Sequence, residues 1–325
     1  MHIRPLIVAT GAIAALALSG CVPNNPGGEA IAVAITDDAC DVATSTATAG
    51  TVTFALTNSG TDVNEFEILA EDQLRIVGEK ENVTPGQSVN YTLQLNPGTY
   101  YTACKFRLVG APIGLAEFTV TGGAVAIDAD EQELVDEAVA DYVAYIKSQA
   151  GELIPAVAEF AEAYRSGDDD TARDLFASTR VFYERIEPTA EAFGDLDPKI
   201  DYREVDALAE GLDWTGFHRM EKDLWAPAEG DLNSDGTSAL LDWAPSTPEQ
   251  RAQFADQLEA DVQQLYDLVY ADDFTVTLAD ISNGAIGLLD EVATGKISGE
   301  EDWWSHTDSP TSPRTCRAPR WRSAT

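Results

Sequence analysis

The chain has 325 residues, with 20 Lys and Arg against 56 Asp and Glu, and a formal net charge of −36. A field of that sign repels nucleic acid and anionic surfaces and attracts cations, which excludes nucleic acid as a partner. The hydrophobic fraction of 44% excludes global disorder, and the length allows about two domains.

Residues 1–21 read as a secretory signal. Met1-His2-Ile3-Arg4 carries positive charge, and Leu6 to Leu18 is apolar but too short to span a bilayer. The ending Leu18-Ser19-Gly20-Cys21 has the pattern of a bacterial lipobox, in which Cys21 becomes the lipidated first residue. An ordinary signal peptide with a chance cysteine is the alternative. Residues 22–30, rich in Pro, Gly and Asn, form a flexible tether, so lipid would hold the protein to a membrane without a spanning helix.

From residue 31 to 122 the signals are those of strands. Ile31 to Thr36, Thr51 to Thr57, Phe66 to Leu69, Val89 to Leu95, Thr99 to Cys104 and Glu117 to Val120 are short runs rich in β-branched and aromatic residues. Asn58-Ser59-Gly60, Pro85-Gly86 and Asn96-Pro97-Gly98 separate some of them as turns. Short strands at regular spacing predict a β-sandwich. Cys40 and Cys104 fall at predicted strand edges, and in an exported protein the default reading is a disulfide between them.

Residues 128–308 read as helical. Glu131 to Tyr164 carries apolar residues at three- and four-residue steps, with Pro155 as a possible kink. Asp170 to Ile186, Pro248 to Tyr270 and Leu278 to Val292 are further amphipathic helices. Thr247-Pro248-Glu249-Gln250 marks a helix start, with Thr247 as cap. Of the three histidines, His2 lies in the leader and His306 near the C-terminus, which leaves His218 inside the helical pattern. Glu221 follows His218 at i+3, so both side chains leave one helix face a turn apart. An imidazole nitrogen beside a carboxylate suits a borderline or hard metal ion, and a plain surface pair is the alternative.

Longer stretches carry a resemblance. They include Tyr183 to Pro188, Phe193 to Pro198, Thr215-Gly216-Phe217-His218-Arg219-Met220-Glu221, Leu288 to Ala293, Gly295 to Glu301 and Ser305-His306-Thr307-Asp308. In the first half, Glu65 to Leu69, Gly78 to Asn82 and Pro85-Gly86 add to it. This text resembles the EfeO family, exported components of bacterial iron-uptake systems. The resemblance implies an N-terminal all-β cupredoxin-like sandwich followed by an all-α imelysin-like helical bundle. It implies that His218 and Glu221 help form a metal site in a cleft of the helical domain. It also implies an alternative for the first domain, in which Glu65, Cys40 and Cys104 bind iron or copper. Two further acids of the family pattern stand here as Thr99 and Tyr101, which removes two hard ligands.

Asp235, in the loop after the motif, is a further candidate ligand if that loop folds back; a solvated Asp is the plainer reading. Glu184 and Glu187 repeat the three-residue spacing and read as a solvent-facing pair. The cargo implied is iron, as Fe(II) or Fe(III), with zinc or copper also compatible with the donors. The partners implied are a membrane iron permease and a haem peroxidase-like protein. Two other functions remain open. A zincin-type metallopeptidase needs a second histidine where Lys222 stands. A cation-dependent polysaccharide-binding lipoprotein is the other.

Residues 309–325 break the pattern, with four arginines, three prolines, Cys316 and no acid. With a chosen set of GC-rich codons, read one base earlier, this stretch can spell an amphipathic helix; a natural disordered basic tail is the alternative. The expectation is therefore a frame-shifted basic tail, an incomplete bundle, and exposed Trp303 and Trp304.

Overall fold

The computed structural model describes residues 30–73, 75–107, 111–123, 129–241, 243–294, 299 and 301–307. The leader with Cys21 and the tail 309–325 lie outside them. Among the described residues no helix is long and apolar enough to cross a membrane.

Among the described residues, nine strands form the first half: β1 (Ile31–Ile35), β2 (Cys40–Val42), β3 (Thr46–Thr48), β4 (Gly50–Asn58), β5 (Asn64–Leu69), β6 (Ile76–Val83), β7 (Ser88–Leu95), β8 (Gly98–Phe106) and β9 (Ile113–Thr121). They make two sheets, ordered β2-β1-β4-β7 and β3-β9-β8-β5-β6. β1 runs parallel to β4 and β3 parallel to β9; the other pairs are antiparallel. Alternate residues point inward, and Val33, Ile35, Phe54, Leu56, Phe66, Ile68, Leu93 and Phe118 fill the space between the sheets. Cys40 on β2 and Cys104 on β8 are bonded, which staples one sheet to the other.

β5 is buried along its whole length. One face meets the sandwich core; the other carries Glu65 and Glu67, which are also buried. A sheet buried on both faces no longer shows a simple alternation of polar and apolar residues.

The helices are α1 (Ala129–Ser166), α2 (Asp169–Glu184), α3 (Leu196–Asp201), α4 (Glu204–Glu210), α5 (Gly216–Leu224), α6 (Pro248–Tyr270) and α7 (Leu278–Thr294), with a 3₁₀ helix at Glu187–Phe193. α1 continues through Pro155. α6 begins with a capping box: Thr247 accepts from the Gln250 backbone and Gln250 from the Thr247 backbone. α1, α2 and α6 pack together around Ile146, Leu153, Phe160, Phe176, Leu258, Val262 and Leu265.

α7 lies against the 3₁₀ helix on one side and against β6 and β7 on the other, and so joins the two halves. It leaves Ile286, Leu289 and Val292 exposed. Trp303 and Trp304 are half-buried, contrary to expectation. The indole of Trp303 donates to Leu232 O at 2.9 Å, and the segment 301–307 folds onto α5.

Candidate metal centre

α5 places the site. Its first residue, Gly216, has φ +79°, and a Cβ there would stand 2.1 Å from the Ile200 carbonyl oxygen. Only glycine tolerates both the left-handed backbone and that approach. Thr215 Oγ1 donates to Lys199 O at 2.8 Å, which fixes the start of α5 against α3. Phe217, Met220 and Leu224 then enter the helical core. His218 and Glu221 leave the neighbouring face, both almost fully buried at 2% and 0% exposure.

His218 Nδ1 lies 3.0 Å from Glu221 Oε2. Glu221 Oε1 accepts two backbone N–H groups, from Trp304 at 3.1 Å and Ser305 at 2.7 Å. Both oxygens of Glu221 are thus engaged, and the imidazole is held by one nitrogen. His218 Nε2 is buried without a hydrogen-bond partner, and the closest paired acid is Asp201 Oδ1 at 3.6 Å.

Three acids from distant elements gather near the His218 ring. Asp201 ends α3, and Glu301 and Asp302 lie on the segment that crosses α5. Ligand atoms of Asp201, His218 and Glu301 lie within 4.8 Å of one another, as do those of His218, Glu221 and Asp302. The space beside His218 and Glu221, lined also by Glu204, Asn233, Glu301 and Trp304, is about 20 Å³. That is room for about one water-sized sphere or one ion. A larger cleft of about 570 Å³ opens between β6 and the 3₁₀–α3 region, but neither His218 nor Glu221 lines it.

The electrostatics follow from burial and charge. Burial and the Arg180 guanidinium push the His218 imidazole down in pKa. The Glu221 hydrogen bond and the charges of Asp201 and Glu221 push it up and win, so it lies above the ordinary value. Burial likewise works against the charge on Arg180, and Asp201, Glu184 and Asp302 overcome it. Lys222, fully buried, has its pKa lowered by burial, against the opposing pull of Glu204. Its ammonium contacts Glu204 and sits 5.0 Å from the Trp304 ring, 5.7 Å from Trp214 and 5.8 Å from Trp243. Lys222 therefore anchors the crossing segment to α5 through a cation–π contact.

The other candidates fall elsewhere. Asp235 does not reach the pair: its Oδ1 accepts from Thr237 N at 2.8 Å and Thr237 Oγ1 at 2.6 Å, a local turn that satisfies it on the surface. Glu184 and Glu187 do not simply face solvent: both are partly buried, and their oxygens come within 4.8 Å of one another and of Glu301. In the sandwich, Cys40 and Cys104 are bonded to each other, so neither offers a thiolate. Phe66 pairs with Cys104 and Glu65 with Lys105, which puts Glu65 on the opposite face from the disulfide. The expected set of Glu65 with both cysteines is therefore not assembled. Glu65 instead joins Glu67 and Glu79 within 4.8 Å, and Lys105 Nζ lies 3.0 Å from Glu67 Oε1.

Asp201, Glu301, Asp302 and Arg180 escaped the sequence reading as site residues. The acidic run Glu300-Glu301-Asp302 before two tryptophans was the available signal for two of them.

Comparisons with known proteins agree with this architecture. The imelysin family profile matches residues 138–310, and that of the cupredoxin-like domain matches residues 7–112. The chain is 37% identical over 300 residues to the iron uptake system component EfeO of Escherichia coli O157:H7, covering 91% of this chain and 73% of that protein. Proteins of the same name from Escherichia coli K12 and Shigella flexneri are 36% identical over the same shares. A sandwich of the cupredoxin type joined to an imelysin-type bundle, with this identity along nearly all of its length, makes the chain a member of the EfeO family of iron uptake system components.

Proposed function

We propose that the chain is the metal-binding component of an iron uptake system and that the cage around His218 holds the iron. One observation carries the reading: His218 Nε2 is buried without a hydrogen bond, 3.6 Å from Asp201 Oδ1, in a ring of side chains where Glu301 and Asp302 also come close to the imidazole. Leaving such a group unsatisfied costs on the order of 1–3 kcal/mol, and a cation seated there removes the cost. His218 contributes Nε2, and Asp201, Glu301 and Asp302 contribute oxygens. Glu221 holds the other ring nitrogen and orients the imidazole, the arrangement commonly seen behind metal-bound histidine. Oxygen donors with one imidazole suit iron. The iron uptake role printed for the relatives supports the choice of cargo.

A leader ending at Cys21 supports an extracytoplasmic, lipid-anchored protein. Delivery to a membrane permease, beside a haem peroxidase-like partner, is the step this reading assigns to the loaded form.

The test is titration of the purified protein with ferric and with ferrous iron, by calorimetry and metal analysis. His218→Ala is expected to abolish one site, and Glu221→Gln to weaken it by about 10- to 100-fold. Unchanged stoichiometry and affinity in His218→Ala overturns the assignment.

A further inference from the structure

Arg180 sits in the cage that the iron is meant to fill. It leaves α2 one turn before Glu184 and is 3% exposed. Its Nε donates to Asp201 Oδ1 at 2.9 Å and its Nη2 to Asp201 Oδ2 at 2.8 Å, a two-pronged grip. Nη1 donates to Asp302 Oδ1 at 3.0 Å, and the guanidinium also contacts Glu301 and Glu184. Asp201, Glu301 and Asp302 are the same carboxylates that close on His218.

A guanidinium does not lose its proton in a protein. It is therefore a fixed positive charge, and both oxygens of Asp201 are committed to it. A metal ion drawing on Asp201, Glu301 and Asp302 meets that charge at contact range in a site shielded from water, where repulsion is strong. The acids outnumber Arg180, so without a second cation the cage keeps excess negative charge. Glu301 and Asp302 also belong to the segment whose backbone holds Glu221, so what Arg180 grips helps to hold the cage shut.

We propose that Arg180 is the counter-cation of the empty cage, and that iron loads by exchange: the metal takes carboxylate oxygens from the guanidinium, and the guanidinium takes them back on release. The idea rests on the iron reading of the His218 cage. A built-in competitor keeps affinity below what the donor set alone would give, which suits a protein that must pass its cargo on.

The experiment compares wild type, Arg180→Lys, Arg180→Gln and His218→Ala, each checked for folding by circular dichroism and titrated with ferric iron from a chelate buffer. Arg180→Lys keeps the charge but loses the two-pronged grip. It is expected to bind iron more tightly by about tenfold, the scale on which groups behind the ligands tune metal affinity. Arg180→Gln, if folded, is expected to bind more tightly still. Equal or weaker binding in Arg180→Lys overturns the exchange and leaves Arg180 a positioning residue. A crystal structure of the iron-loaded wild type gives a second reading. Withdrawal of the guanidinium from Asp201 supports the exchange; two intact bonds to Asp201 beside a seated iron overturn it. Loss of binding in His218→Ala without tightening in Arg180→Lys sinks only the exchange. Unchanged binding in His218→Ala sinks the cage itself.

Discussion

Glu67 is buried at 1% exposure on β5, with one oxygen 3.0 Å from Lys105 Nζ and the other without a hydrogen bond. Burial, then the charge of Glu65, raises its pKa to about 7 against the opposing pull of Lys105. The folded protein therefore holds this proton more tightly than the unfolded chain does. Between the ordinary value of 4.5 and about 7, the folded state binds more protons, so stability falls as pH rises through that window and levels off above it. A shift of this size corresponds to a loss on the order of 3 kcal/mol. Glu67→Gln keeps the shape without the titration. Urea midpoints compared from pH 4 to pH 8 should show the two proteins converging at low pH and the variant gaining as pH rises. Parallel curves would show that Glu67 is not the group responsible. Single-residue chemistry was legible where it was local. His218 and Glu221 share a face because of their spacing, and the sequence carries that spacing. Arg180, Asp201 and Asp302 were not legible as one site, because only the packing of α2, α3 and the 301–307 segment brings them together. Asp235 is satisfied by Thr237 on the surface, as the plainer reading had it, because nearness along the chain is not nearness in space.

The elements divide by length and by what covers them. α1, α2, α6 and α7 run long enough to display a helical period, and α6 also announces itself with its capping box. α3, α4 and the 3₁₀ helix have six or seven residues each, too few for a period to stand out. β2 and β3 have three residues each and are held by their neighbours more than by their own sequence. β6 hid behind Glu79-Lys80-Glu81, which reads as surface but forms an edge strand whose exposed side meets α7. α5 is the element on which the site depends. Its entry at Gly216 combines a left-handed backbone with contact on α3. Gly216→Ala should cost about 1–3 kcal/mol from backbone strain alone, with the clash against Ile200 added. The helix has to shift, and His218 shifts with it. Thermal unfolding should drop by several degrees and iron binding should weaken together, while the Cys40–Cys104 disulfide stays intact. A variant with normal iron affinity would show that the site tolerates movement of its own helix.

At the scale of the whole molecule, one side chain of α7 pairs with the edge of a sheet where the two halves meet. β7 is an edge strand, so Gln94 has backbone groups with no strand to pair with on one side. Asn283 of α7 supplies both partners: its Oδ1 accepts from Gln94 N at 2.9 Å and its Nδ2 donates to Gln94 O at 2.7 Å. The next residue, Gly284, lets α7 press onto Pro188, whose carbonyl oxygen would lie 1.6 Å from a Cβ. α7 thus touches the sandwich with Asn283 and the 3₁₀ helix with Gly284, and the domain orientation passes through this turn. The two-domain plan was legible because composition and period change between residues 122 and 128; the docking was not, since an Asn in an amphipathic helix carries no mark of its partner. Asn283→Ala removes both bonds and leaves Gln94 with two unmet backbone groups at a partly buried place, a loss of about 1–3 kcal/mol. Each half keeps its own core and the sandwich keeps its disulfide, so the expected result is looser docking of two intact domains. Hydrogen exchange should speed up at Gln94 and along α7 but stay slow in β4 and α6, and iron should still bind at His218 with wild-type affinity. Exchange unchanged at Gln94 would mean that other contacts of α7 fix the domains. Loss of iron binding would mean that the cage depends on the sandwich for its shape.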